Sequence, residues 1–280
     1  MDKSRVNDTK LHDQWQKMTI SSDVMFGLVM EDKDILCELI NRTLPELHVS
    51  KLKEITTQKG MAQSNLQREV RFDVYAKDEL NRTFIVEMQV EDKHNLASRI
   101  RYYQEQVDGK ILKPAVNYSK LDKYPVYIIM FCRFDYFKQN WAQYRFETVC
   151  VRDNKLKFGD KRVVVICNAK ATSFETNERI RGFLQLMENE DVKGDPFATK
   201  ILRKIEEIKK DNKKEEIMMQ YELAIMDAKS IGEKDGINKA INIFEAIKEL
   251  QKKQMSSRQI VKKVSADFDV NPDDVRRLMK

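Results

Sequence analysis

The stretch REVRFDVYAKDELNRTFIVEMQV, residues 68–90, decides the fold class. Its first arm, 68–77, alternates. Val70, Phe72, Val74 and Ala76 fall on one face, and Glu69, Arg71, Asp73 and Tyr75 on the other, the period of a half-buried strand. Its second arm, 83–90, is a short apolar run with β-branched and aromatic residues. The polar segment 77–82 between them reads as a hairpin turn. A hairpin centred on Leu80 brings Asp73 opposite Glu87, with Gln89 on the same face as Glu87. Directly opposed side chains have Cβ atoms about 4.5–5.5 Å apart, and like charges there destabilise a sheet. A divalent cation between the acids would remove that repulsion, lower the pKa of a bound water and bind phosphate oxygens. Two acids on a solvated strand face, separated by a slip of one residue in register, are the plain alternative.

Outward from the hairpin, helix and strand patterns mix. Residues 24–40 carry an apolar face (Val24, Leu28, Ile35, Leu36, Leu39, Ile40), which predicts one helix capped from Ser21, Ser22 or Asp23. Residues 49–57 predict a strand. Leu96, Ile100, Tyr103, Val107 and Ile111 recur at helical spacing. Strands are expected at 124–131, 144–151 and 163–167. From about residue 175 the pattern turns helical. Residues 199–230 predict a charged amphipathic helix or hairpin. Gly232 and Gly236 are expected to break the chain before a helix over 237–253, and 256–280 reads as helix–turn–helix. The expected organisation is a mixed α+β domain over 19–198 and a helical C-terminal region over 199–280.

Composition narrows the function. The chain of 280 residues predicts one or two domains at about 150 residues each. It has 51 basic and 45 acidic residues, and residues 199–280 hold 19 and 15 of them. No apolar run approaches the roughly 18 residues of a membrane span, and MDKSRVNDTKLHDQW has no apolar signal core. The expectation is a cytoplasmic protein without membrane contact. Cys37, Cys132, Cys150 and Cys167 are scattered in apolar stretches and read as buried reduced thiols. Three scattered histidines argue against a His/Cys zinc site and for a carboxylate-bound metal, Mg²⁺ with Mn²⁺ as the alternative. Tyr102, Tyr103, Trp141 and Phe146 read as core rather than base-stacking residues. Glu38 reads as an exposed helical acid, with a reach toward the site as the alternative. The segment QKKQMSSRQIVKK (251–263) holds five basic residues and no acid, so Lys252, Lys253, Lys262 and Lys263 are candidate phosphate contacts or a solvated helix face.

The run D-x13-E-x-Q, from Asp73 to Gln89, follows a helix and a strand and resembles the PD-(D/E)XK nuclease pattern. SDVMF (22–26), DILCELINRTLPE (34–46), VRFDVYAKDE (70–79), FIVEMQ (84–89), SRIRYYQEQV (98–107), NYSKLDKYPVYIIMF (117–131) and FDYF (134–137) occur in order. Together they resemble the recombination-promoting nuclease and transposase family of PD-(D/E)XK proteins over roughly 19–150. That resemblance implies a restriction-endonuclease-like αβββαβ core with a central mixed sheet, and a Mg²⁺-dependent DNA endonuclease tied to recombination or mobile elements. It implies Asp73, Glu87 and the carbonyl of Met88 as metal ligands, with Asp23 as a further acid. Asp23 and Phe26 match the family's opening motif, and Arg99 and Tyr103 its R-x3-Y helix, where they brace the helix or contact DNA. Gln89 stands where many superfamily relatives have lysine. An amide orients water but brings no charge. PAVNYSKL (114–121) departs from the family at a local loop. DNA is the implied partner and a homo-oligomer is left open. The rival reading is a catalytically silent DNA-binding or oligomerising protein on the same fold.

Overall fold

The computed structural model describes residues 3–61, 70–174 and 178–279. The chain forms two compact units, Met1–Glu215 and Glu216–Lys280. The first opens with helices α1 (Lys3–Lys17), α2 (Asp23–Met30) and α3 (Lys33–Thr43), then strands β1 (Leu52–Met61), β2 (Val70–Asp78) and β3 (Thr83–Gln89). Helix α4 (Leu96–Ile111) leads to β4 (Val126–Cys132), β5 (Gln143–Phe146), β6 (Val149–Cys150), β7 (Asp153–Lys157) and β8 (Arg162–Asn168). Helices α5 (Arg181–Met187) and α6 (Pro196–Lys209) complete this unit, and α7 (Asn212–Lys252) begins at its end. Helices α8 (Ser257–Phe268) and α9 (Pro272–Leu278) follow in the second.

The main sheet has the order β1-β2-β3-β4-β8-β5. β1, β2 and β3 are antiparallel neighbours, β3, β4 and β8 run parallel, and β5 closes the edge antiparallel to β8. The succession from α3 to β4 is the expected αβββαβ core on a mixed sheet. The parallel β3–β4 pair requires a crossover, which α4 supplies. Ile100, Tyr103 and Val107 of α4 cluster with Tyr75, Ile85, Ile128 and Met130 of the sheet. On the other face Phe183 of α5 meets Phe131 of β4 edge-on at 4.8 Å.

Several elements differ from the sequence expectation. Residues 24–40 are not one helix. The chain breaks before Lys33, where the Asp32 carboxylate accepts the N–H groups of Asp34 and Ile35 at 3.1 and 3.2 Å and starts α3 afresh. The apolar stripe runs on through the break and hides it. The segment 144–151 splits: its first part pairs in the main sheet as β5, while Val149 and Cys150 pair with β7 in a separate ribbon. Trp141 and Phe146 are exposed rather than core. Cys132 and Cys167 are buried, Cys37 and Cys150 half-buried, and all four are free thiols. Of the strand expected at 68–77, residues 68 and 69 lie outside the described residues.

The first unit extends past residue 198 because α6 buries Phe197, Ala198, Ile201, Ile205 and Ile208. Helix α1 has no counterpart among the expected elements. It buries Trp15 fully, and the indole N–H donates to the Lys209 carbonyl at 3.1 Å, closing one of the end carbonyls of α6. In the second unit, Ile243, Ile247 and Leu250 of α7 pack on Ile260, Val261 and Val264 of α8 and Val275 of α9. The Ser256–Gln259 capping box starts α8, and Pro272 stands at the start of α9. Gly232 and Gly236 do not break the chain: α7 runs through both. A glycine in a helix costs only about 1 kcal/mol against alanine, and neither is at a close approach, since a Cβ there would meet nothing within 4 Å.

Candidate active site

The β2–β3 ladder pairs Val74 with Val86, Tyr75 with Ile85, Ala76 with Phe84 and Lys77 with Thr83, so the hairpin is centred on Leu80 as its sequence predicts. At the turn Asp78 is buried and ion-paired with Arg82. Its carboxylate also accepts the backbone N–H groups of Leu80 and Arg82, both at 2.9 Å. Arg82 further donates to the Leu47 carbonyl at 2.7 Å. The turn end of the hairpin is thereby locked in register.

At the other end side chains replace the ladder. The Asp73 N–H donates to Glu87 Oε1 at 2.8 Å, and the Met88 N–H donates to Asp73 Oδ2 at 3.0 Å. Each acid therefore binds the opposing strand's backbone, and the two carboxylates converge. The expected alternation of β2 is not kept at Phe72. Phe72 does not share a side only with Val74; it packs on Tyr103 at 4.8 Å, in the same cluster as Tyr75.

Helix α4 supplies the next layer. Arg99 Nη2 donates to Glu87 Oε2 at 3.0 Å, Arg99 Nη1 to Gln89 Oε1 at 2.6 Å, and the Tyr103 hydroxyl to Glu87 Oε2 at 3.1 Å. Arg99 Nε also reaches the Tyr103 oxygen at 2.5 Å. The one-turn spacing of Arg99 and Tyr103 puts both above Glu87. The Glu87 side chain is 0% exposed, whereas that of Arg99 is 30% exposed. The Gln89 amide is committed at both ends, since its Nε2 donates to the Met88 carbonyl at 2.8 Å. Its Oε1 is held by Arg99 Nη1.

The electrostatics follow from this crowding. Burial, then the Asp73 charge, pushes Glu87 up to about 8, although Arg99, the Asp73 N–H and the Tyr103 hydroxyl oppose the shift. Burial pushes Asp73 up to about 6, with the Asp23 charge adding to it and the Met88 N–H and Arg99 opposing it. Asp23, in the first turn of α2, is raised by burial and lowered in part by Lys93 and Arg99. Ser22, not Asp23, occupies the cap position of that helix.

The remaining candidates fall elsewhere. Phe26 is fully buried. Glu38 pairs with Arg42 at 3.0 Å and does not join the acids. Lys252, Lys253, Lys262 and Lys263 belong to the second unit and are exposed. Lys253 pairs with Glu249 at 2.7 Å and Lys263 with Asp267 at 3.4 Å. Sequence reasoning found the acid pair and the Arg99–Tyr103 step but missed the Arg99–Gln89 bond, which joins residues on different elements. It also missed the Asp78–Arg82 lock, whose i, i+4 spacing across a turn was its only signal.

Among the described residues no three His, Cys, Asp or Glu side chains form a group that could hold a metal ion. Asp73, Glu87 and the Met88 carbonyl are an all-oxygen donor set. Both carboxyls are pushed up first by burial and then by a neighbouring acid, and a hard divalent cation at these oxygens would offset that cost of ionising them. A family model described as PD-(D/E)XK nuclease family transposase matches residues 23–234, from the start of α2 into α7. No curated protein and no solved structure matches the chain.

Proposed function

The chain belongs to the PD-(D/E)XK nuclease family transposases, and from that premise we propose that it is a Mg²⁺-dependent DNA endonuclease acting in recombination or mobile-element movement. The observation that carries the reading is the end of the hairpin, where Asp73 and Glu87 are held together and Arg99 pairs with Glu87. Asp73, Glu87 and the Met88 carbonyl would hold the metal, with Asp23 adding negative potential from α2. A bound Mg²⁺ or Mn²⁺ supplies a water of lowered pKa and a Lewis acid for the phosphate. The chain's own part is placement. The Asp73 and Met88 N–H bonds fix the two carboxylates, and Arg99 and Tyr103 fix Glu87 from α4.

The catalytic fold is assigned to the first unit, and the second to DNA affinity or assembly. A homo-oligomer is consistent with the exposed Ile237, Ile241 and Phe244 of α7. The silent DNA-binding alternative draws on one observation: three of the four acid-pair oxygens already accept hydrogen bonds. A plasmid-nicking assay with Mg²⁺ and with EDTA, on wild type beside Asp73→Asn, decides between them. Nicking that needs the metal and Asp73 supports the endonuclease. No nicking by wild type supports the silent reading, and nicking retained by the variant moves the metal elsewhere.

A further inference from the structure

Position 89 lacks the positive charge that a lysine would bring beside the acids, and helix α4 offers a replacement. Arg99 enters from α4 with its Nη1 on Gln89 Oε1 at 2.6 Å and its Nη2 on Glu87 Oε2 at 3.0 Å. The guanidinium is thus anchored by the residue at position 89 itself. A guanidinium has five N–H donors. Three are used here, on Gln89, Glu87 and Tyr103. Two remain on a side chain that keeps 30% of its surface exposed, while Glu87 beneath it has none. Anchored on Gln89, Glu87 and Tyr103, with two donors left and part of its surface exposed, the guanidinium is suited to a phosphate.

Resting on the endonuclease reading, we propose that Arg99 is the catalytic cation of this site: its two remaining N–H groups bind the non-bridging oxygens of the scissile phosphate, and Gln89 and Tyr103 act as positioning residues that aim it. Negative charge growing on those oxygens meets a fixed, partly desolvated guanidinium, which needs no reorganisation as the reaction proceeds. The amide at 89 then acts through Arg99. Its Oε1 holds Nη1, and its Nε2 on the Met88 carbonyl sets the amide orientation.

The test uses the full chain. In a plasmid-nicking assay Arg99→Ala lowers kcat by about 10²–10³-fold, as removal of a preorganised donor does. The Mg²⁺ concentration for half-maximal rate moves little, and added guanidinium chloride at millimolar level restores part of the rate. Arg99→Ala combined with Gln89→Lys, which returns a cation to the strand, recovers at least about tenfold of the loss. In the Asp73→Asn background, where cleavage is silenced, Arg99→Ala lowers the log–log salt slope of duplex DNA binding by about 1, the mark of one lost phosphate contact. Wild-type kcat in Arg99→Ala overturns the proposal. So does a loss that tracks the Mg²⁺ requirement and is recovered neither by guanidinium nor by Gln89→Lys, because Arg99 is then only a brace for Glu87. Wild type that fails to nick overturns the endonuclease reading and with it the catalytic role of Arg99, but not its phosphate contact. The salt slope still decides Arg99 in that case, and an unchanged slope overturns its phosphate contact.

Discussion

The two ends of the β2–β3 hairpin hold buried acids under opposite rules. At the turn, Asp78 has its own guanidinium from Arg82 and two backbone N–H groups, and it closes the register. At the open end, Asp73 and Glu87 share Arg99, and both titrate above the usual carboxylate range. The same hairpin therefore contains an acid whose charge is locally answered and a pair whose charge is answered only in part. The first arrangement stabilises a fold. The second leaves room for a cation from solution, at a cost to the metal-free protein.

The largest expected effect breaks this contrast at the open end. Asp73→Asn should lower Mg²⁺-dependent nicking by at least about 10³-fold, since a metal supplies several kcal/mol of charge stabilisation. Its melting temperature without metal should be unchanged or raised, because one of two opposed charges is gone. Glu87→Gln should also stop nicking, but it strips Arg99 of its carboxylate, so Asp73→Asn is the cleaner variant.

The turn should behave in reverse. Asp78→Asn leaves Arg82, whose side chain is only 12% exposed, without its counter-charge. A destabilisation of about 3 kcal/mol is expected in denaturant titrations, with nicking at saturating Mg²⁺ kept well below the melting point. If Asp78→Asn were neutral for stability, the two ends would not differ as described.

Titration sharpens the contrast further. The open-end acids have folded pKa values of about 6 and about 8, above the roughly 4 of an unfolded carboxylate. Between those limits the folded chain binds more protons than the unfolded one, so stability falls as pH rises and levels off above about 8. Melting followed from pH 5 to pH 9 without metal should show that decline from these two groups, and Glu87→Gln should flatten its upper part. Mg²⁺ should raise the melting temperature more at the alkaline end, where no proton competes for the carboxylates. An equal rise at both ends would place the ion away from this pair.

The smallest effect sets the hairpin against the second unit. Neutralising Lys252, Lys253, Lys262 and Lys263 should flatten the salt dependence of DNA binding and leave kcat at saturating DNA unchanged. Two of these lysines already have carboxylate partners, so the slope should change by less than the roughly 0.9 per phosphate expected of four full contacts. An unchanged slope would leave them as a solvated helix surface.

The hairpin was the most legible part of the chain because its signals are local. Strand period, turn chemistry and a centre at Leu80 together place Asp73 near Glu87, and the ladder runs in that register. The mixed fold was legible for the same reason, element by element. What stayed hidden was either silent in the pattern or distant in sequence. Asp32 caps a helix inside an unbroken apolar stripe, and two glycines sit in a helix that tolerates them. The Gln89–Arg99 bond and the Trp15–Lys209 bond join separate elements, and spacing alone does not predict such contacts.

The Asp78 lock makes the thirteen residues between Asp73 and Glu87 a measured length. Asn81, at φ 61°, and the bonds from Leu80 and Arg82 to Asp78 hold the turn at one size. A single residue inserted between 78 and 82 would move every partner on β3 by one place and turn Glu87 to the opposite face, unless a bulge absorbed it. Two inserted residues would keep the face but carry Glu87 about one pleat repeat away from Asp73. Insertions and deletions in this turn are therefore changes to the active site. A lineage that alters the turn must alter the arms in compensation or lose the pair.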